Sequence, residues 1–347
     1  PMPNKERTNP MRLLSKLEDV KAVLYVDDPE NKSGIDTNFH QFPILKTDKE
    51  SYVYYDKNSI QNGAYDKEKF KFIVKPFEMD SLDNFIDEAL SLDGTLISSG
   101  IFPDIEESLA IQDDYSLGFI KKSPSNGYNI YGGKANYKND IKLSHDGLKG
   151  DGEISFLTSH ATSSDMTFLP ESILAMAEEY SNKGQTTGPE VPSVVGENVK
   201  VNYMPYEDVL KASSIKNELE FFDEGVGLNG ELTLTPEGMT GAGIMAFQKA
   251  ELLAEKFDYK YRAIDADTSA FSLINTEGKG FSFKTENVNS HIDFDARSGD
   301  FKANGDNDII EFPENQYICF MEEFKWFMDE DNLELTSSKS SDATIES

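Results

Sequence analysis

Carboxylates dominate the chemistry this chain could perform: 63 of its 347 residues are Asp or Glu. Several fall in close pairs, at Asp113-Asp114, Asp265-Ala-Asp267, Asp293-Phe-Asp295 and Asp306-Asn-Asp308. Two acids on one face are what acid–base cleavage of a glycosidic bond requires, and oxygen-rich clusters also hold calcium. Asp293 and Asp295 flank Phe294, so the period of two in a strand would aim both at the same face. Asp300 to Asp308 is the most calcium-like loop, with Asp300, Asn304, Asp306 and Asp308 as candidate ligands. It lacks the order of an EF-hand loop and that loop's terminal bidentate acid. In so acidic a chain such pairs also arise by chance, and solvated faces account for most of them.

Other chemistries find less support. The four histidines, His40, His145, His160 and His291, show neither His-x-x-x-His nor His-Glu-x-x-His spacing, so a zinc protease is unsupported. No Gly-x-Ser-x-Gly elbow marks a serine hydrolase. The single cysteine, Cys319, excludes an internal disulfide and a cysteine-ligated zinc, and it reads as a small core residue. Two glycine clusters remain, Gly147-x-x-Gly150-x-Gly152 and Gly238-x-x-Gly241-x-Gly243. They lack the Rossmann order, no helical pattern follows them, and no Gly-Lys-Ser/Thr accompanies them, which argues against a phosphate cradle. A structural turn fits better: the first glycine takes a positive φ, and the other two let backbones approach closely.

The elements around these clusters repeat. Ile141 to Phe156 reappears without a gap as Leu232 to Phe247, at an offset of 91 (234 − 143) that continues to Met166/Phe257 and Phe168/Tyr259. Units that recur in this way bury their apolar edges against neighbours. Strands are expected at Ala22–Val26, Ser51–Tyr55, Phe70–Val74 and Gly94–Ile97 from aromatic and β-branched enrichment. Beyond the second copy, period-two pairs return about every ten residues: Phe257/Tyr259, Phe271/Leu273, Phe281/Phe283 and Ile292/Phe294, with turn formers between them. Phe324-Lys-Trp326 and Leu333-Glu-Leu335 read as a closing hairpin. Two helices are expected, Ser81–Leu90 from its apolar spacing and Pro170–Tyr180 from its proline start and acidic first turn. Asn182 to Gly196 collects glycine and proline and reads as a loop or boundary.

The expected fold is therefore mainly β: a strand array of the β-solenoid or β-helix kind, with a β-sandwich as the alternative, and a few short inserted helices. The expected segments are 1–90, β-rich with a short helix; 91–196, with the first repeat copy; 197–335, with the second; and a disordered tail over 336–347. Hydrophobic content of 38% and 11% aromatics are too rich for a disordered chain. A net charge of −30 argues against nucleic acid or an anionic membrane surface as partner. No apolar run is long enough for a membrane helix, and no signal peptide is visible, since Pro1 to Leu17 is polar. Both ends look like cut edges of something longer.

Gly94-Thr-Leu-Ile-Ser-Ser-Gly-Ile-Phe-Pro103, Asp114-Tyr-Ser-Leu-Gly-Phe119, Tyr131-Gly-Gly-Lys134, Leu143 to Gly152, Phe312-Pro-Glu-Asn-Gln-Tyr317 and Phe324-Lys-Trp326 together resemble a family of very large uncharacterised proteins of Bacteroidota. The resemblance covers most of the chain. It implies an interior segment of a longer β-rich protein that is exported, periplasmic or at the cell surface, and it brings no activity or site residue with it. The reading that fits is a non-enzymatic structural or surface-interaction segment, with other envelope proteins or polysaccharide as partners and no cofactor beyond the calcium candidates. One alternative is a polysaccharide-active β-helix enzyme, lyase or hydrolase. A second is an elongated envelope groove for lipid transfer.

Overall fold

The computed structural model describes residues 17–18, 22–25, 44–55, 64–79, 90–113, 116–222, 225–275, 278–305, 309–320, 322–330 and 333–336. The described chain divides into two units, one within 1–154 and 164–174, the other within 155–163 and 175–347. The first opens with β1 (Leu17–Glu18), β2 (Ala22–Tyr25), β3 (Ile44–Thr47), β4 (Ser51–Tyr54), β5 (Phe70–Val74) and β6 (Glu78–Met79). It continues with β7 (Leu92–Ser98), β8 (Ile105–Ile111), β9 (Leu117–Lys122), β10 (Tyr128–Ile130) and β11 (Ala135–Ser144). Three ten-residue strands, β12 (Gly147–Phe156), β13 (Ser159–Phe168) and β14 (Ile173–Asn182), have residues in both units.

The second unit adds β15 (Val194–Met204), β16 (Val209–Ser213), β17 (Leu219–Phe221), β18 (Val226–Thr235), β19 (Gly238–Ala246) and β20 (Ala250–Tyr259). Then come β21 (Ala263–Ile274), β22 (Phe281–Asp293), β23 (Ser298–Ala303), β24 (Ile309–Phe312), β25 (Tyr317–Phe320), β26 (Glu323–Phe327) and β27 (Leu333–Thr336). β2, β3 and β6 form a small sheet, and the other strands belong to one large antiparallel sheet. The chain is mainly β. Every pairing described is antiparallel, whereas the coils of a parallel β-helix would need parallel neighbours.

The helix expected at Pro170–Tyr180 is instead strand β14. Ile173, Ala175, Ala177 and Tyr180 are buried, while Leu174 and Met176 are exposed at 40% and 49%. Apolar residues on the outer face hide the alternation, and the sheet overrides a helix-favouring composition. The other expected helix, Ser81–Leu90, falls almost wholly outside the described residues. Among the described residues the helical elements are two 3₁₀ turns, Tyr131–Gly133 and Pro313–Asn315, so the short inserted helices of the sequence reading are corrected.

Strand bounds recur with the offset of the sequence echo. β11, β12 and β13 shifted by 91 coincide with β18, β19 and β20, except that β19 ends one residue early. Pairing recurs too: Phe119 faces Leu143 as Leu210 faces Leu234. A third copy, silent in the sequence, emerges from the registers. Tyr128 faces Tyr137, Leu219 faces Leu228, and Ile310 faces Cys319, with 219 − 128 = 310 − 219 = 91. The tight turns after β10 and β17 share a positive φ, 50° at Tyr131 and 60° at Phe222, while the turn after β24 has Pro313 at that place and shares with the first a 3₁₀ turn, Tyr131–Gly133 and Pro313–Asn315.

The second unit's sheet folds back on itself. Phe222, just after β17, and Phe294, just after β22, are five strand steps apart, roughly 24 Å along a flat sheet. Their ring centroids are 4.4 Å apart. Phe247 likewise meets Trp326 of β26 at 5.3 Å, and Phe271 of β21 meets Phe301 and Phe324. The interior between the two layers is thus filled by rings. Phe257, Tyr259, Phe271, Phe283, Ile292 and Phe294 are buried, and Leu273 and Phe281 are half-buried. In the first unit Tyr65 holds the equivalent role: its hydroxyl donates to Phe168 O at 2.6 Å and accepts from Leu148 N at 3.1 Å. Burial pushes its phenol well above the usual range.

Candidate functional site

The glycine clusters resolve first. Gly147 and Gly238 open β12 and β19 with φ of 90° and 143°, as a turn there demands. A Cβ at Gly150 would sit 2.6 Å from the Phe168 ring, and one at Gly241 would sit 2.7 Å from the Tyr259 ring. At Gly152 it would meet Lys138 O at 2.0 Å, and at Gly243 Asn229 O at 2.4 Å. Each contact in the first copy maps onto its partner 91 residues later. The glycines seat an aromatic ring and a neighbouring backbone, and that seating explains the cluster without an anion.

Alternation fixes the site on the other face of the same strands. With Ile292, Phe301, Phe324 and Trp326 pointing inward, His291, Asp300, Lys302, Glu323 and Lys325 must point outward. Antiparallel register then lines them up across five strands. Asp265 of β21 faces His291 of β22, which faces Asp300 of β23, which faces Lys325 of β26, which faces Glu334 of β27. A second row sets Asn289, Lys302 and Glu323 side by side. All of these but Asp265 line an open cleft of about 470 Å³, and Asp265 borders it through His291.

The charges along the rows mostly alternate and are paired. His291 Nδ1 lies 2.6 Å from Asp265 Oδ1, and Lys260 Nζ lies 3.1 Å from Asp265 Oδ2. Lys325 Nζ lies 3.2 Å from Asp300 Oδ1, and Lys302 Nζ 3.4 Å from Glu323 Oε1. Partial burial pushes the Asp265 carboxyl up, but the bonds from His291 and Lys260 outweigh it and hold the group below the usual carboxylate range. An Asp oriented against a half-exposed imidazole is half of a catalytic relay. The row offers no hydroxyl or thiol for that imidazole to activate. What the arrangement can do is bind: a polar or ionic ligand laid across the strands would meet acids, an imidazole and two amines in a fixed order.

The residues singled out in the sequence do not converge. Asp293 closes β22 by accepting the backbone N–H groups of Asp295 and Ala296, each at 2.8 Å. Asp295 lies beyond the strand and pairs with Arg262 Nε at 2.7 Å, so the shared face expected for the two acids is not formed. Arg262 itself lies over the Phe222 ring. Of the calcium candidates, Asp300 faces Lys325, while Asn304 donates to Asp267 O at 2.8 Å. Asp306 and Asp308 lie outside the described residues. Among the described residues no three His, Cys, Asp or Glu side chains group as a metal ion would require. Cys319, expected in the core, is half-exposed on β25. The cleft itself went unseen in the sequence because its members lie on four strands, and only register brings them together.

Comparison of the chain with protein-family models, with curated proteins and with solved structures finds no match. Among the described residues no helix is long and apolar enough to cross a membrane.

Proposed function

We propose that this chain is a non-enzymatic structural or surface-interaction segment of a larger cell-envelope protein, its repeated antiparallel strand units acting as successive modules of a solenoid-like array. One observation carries the reading: the same amphipathic strand unit is laid down again and again, with rings filling its interior and charges paired across its outer face. Repetition of that kind produces extended surface, and it needs no reactive centre. An exported or surface location rests on the resemblance of the glycine and aromatic motifs to large Bacteroidota proteins. A lipid-transfer groove would need an open apolar trough, and the ring contacts between layers in the second unit leave little room for one.

A second reading, polysaccharide processing, draws on the cross-strand row of Asp265, His291 and Asp300, where carboxylates and an imidazole share one surface. One experiment separates the two. Purified chain is sedimented with envelope fractions and with polysaccharides, while new reducing or unsaturated ends, ester, phosphate and peptide cleavage are measured in parallel. Co-sedimentation without product is the expected result. Product formation that disappears in Asp265→Asn or Asp300→Asn would promote the enzyme, and failure to bind either preparation would overturn the interaction reading.

A further inference from the structure

The cleft on β22, β23, β26 and β27 carries its polar side chains in two rows, set two residues apart along each strand and therefore on one face. At its centre acid and amine exchange places from one strand to the next. Asp300 stands across from Lys325, and Lys302 across from Glu323. Each ammonium is held by the acid it faces, at 3.2 Å for Lys325 and 3.4 Å for Lys302. Glu334, the third acid, faces Lys325 from the other side.

This arrangement selects against charged ligands. A phosphate or an acidic polymer would have to draw Lys302 or Lys325 away from a carboxylate, against a chain of net charge −30. A cation would have to draw a carboxylate away from its lysine, and even at Glu334 it would meet the Lys325 ammonium. A neutral ligand leaves both pairs standing and takes what they do not use. An ammonium has three N–H donors and a carboxylate about four lone-pair sites, so one ion pair exhausts neither group. Among the described residues the Asn289 amide and the Glu334 carboxylate hold no partner. Asp265 is ionised and can only accept, so His291 Nδ1 carries the proton, and in the neutral ring Nε2 is left to accept.

We infer that this cleft binds a neutral glycan, its hydroxyls bridging acid and amine side chains of neighbouring strands. A hydroxyl donates once and accepts twice, so adjacent hydroxyls of one sugar can give to Asp300 or Glu323 while they take from Lys302, Lys325 or the Asn289 amide. A volume of about 470 Å³ falls within the roughly 300–1,000 Å³ of small-ligand sites and holds a short run of sugar rings. The inference rests on the interaction reading of the chain, to which it adds a ligand class and a place. It requires no turnover.

The test titrates the full chain with oligosaccharides, read by saturation-transfer NMR and calorimetry. Neutral hexasaccharides of glucose, mannose, galactose and xylose are compared with a galacturonate hexamer and a glucosamine hexamer. Binding of at least one neutral hexamer and of neither charged one is the expected result. Its affinity should change less than about twofold as the Debye length falls from about 10 Å at 0.1 M salt to about 3 Å at 1 M. Asn289→Ala and Lys302→Ala, both at exposed positions, should each weaken it roughly tenfold. Lys211→Ala is the control: it removes the lysine 91 places earlier (302 − 211), which pairs with Glu231 outside the cleft, and should leave binding unchanged. No neutral binding, or binding of a charged hexamer that falls steeply with salt, would overturn the inference. So would neutral binding that survives both cleft variants, although the wider interaction reading would then stand. Cleft-dependent binding accompanied by new reducing ends would instead sink the non-enzymatic reading and leave this inference intact.

Discussion

At the scale of single residues, glycine is the most constrained position in this chain and aspartate the most versatile. Gly241→Val should cost about 2–3 kcal/mol of unfolding free energy in a denaturant titration, because the new side chain overlaps the Tyr259 ring and Glu231 O. A change within about 0.5 kcal/mol would show that the ring does not need the glycine. Asp265 makes a different test. Its folded-state carboxyl titrates below its unfolded value, so its stabilisation is present above the ordinary carboxylate range and is lost as pH falls through the folded value. The wild-type chain should therefore lose stability on acidification more steeply than Asp265→Asn, as followed by thermal unfolding from pH 6 to pH 3. Parallel curves would place the proton uptake elsewhere. The glycine contacts were legible in the sequence because glycine has few other reasons to recur at fixed spacing. The Asp265–His291 contact was not, because 26 residues and a register separate its members.

At the scale of elements, strands were legible wherever period-two alternation contrasted apolar with polar residues, as in Phe70–Val74 and Phe281–Phe283. They were misread where the contrast failed, as in β14, whose outer face carries Leu174 and Met176. The Gly/Pro connection between β14 and β15 shows how a loop is fixed once its strands exist. Asn182, 2% exposed, accepts from Thr158 and Ser159 at 2.7 and 2.9 Å and donates to Pro192 O at 2.7 Å. Nearby, burial raises the Tyr180 phenol to about 12 beside Ser159. Asn182→Leu removes the acceptor of the Thr158 hydroxyl and the donor to the buried Pro192 carbonyl, while Ser159 keeps its bond to Tyr180, and should cost about 1–3 kcal/mol, with proteolytic nicking between Lys183 and Pro192 as the visible sign. Unchanged resistance to protease would assign the loop's order to other contacts. In the interior, Phe271→Ala removes a ring that touches Phe283, Phe301, Phe324 and Trp326 and should cost about 3–5 kcal/mol.

At the scale of the whole molecule, one unit is used three times, and in the last, among the described residues, β25 pairs with β24 alone. The sequence showed two copies because both retain the glycines; the third lost them to Asp329, Asn332 and Glu334 and kept only the strand register, which no residue pattern announces. Amide hydrogen exchange followed by mass spectrometry tests this most directly. Peptides spanning 135–138, 226–229 and 317–320 occupy equivalent places in the three copies. Slow exchange is expected in the first two, where strands flank both sides, and exchange at least about tenfold faster in the third, where among the described residues β24 alone provides partners. Equal protection at all three would contradict it, because the edge of the third unit would then already be covered.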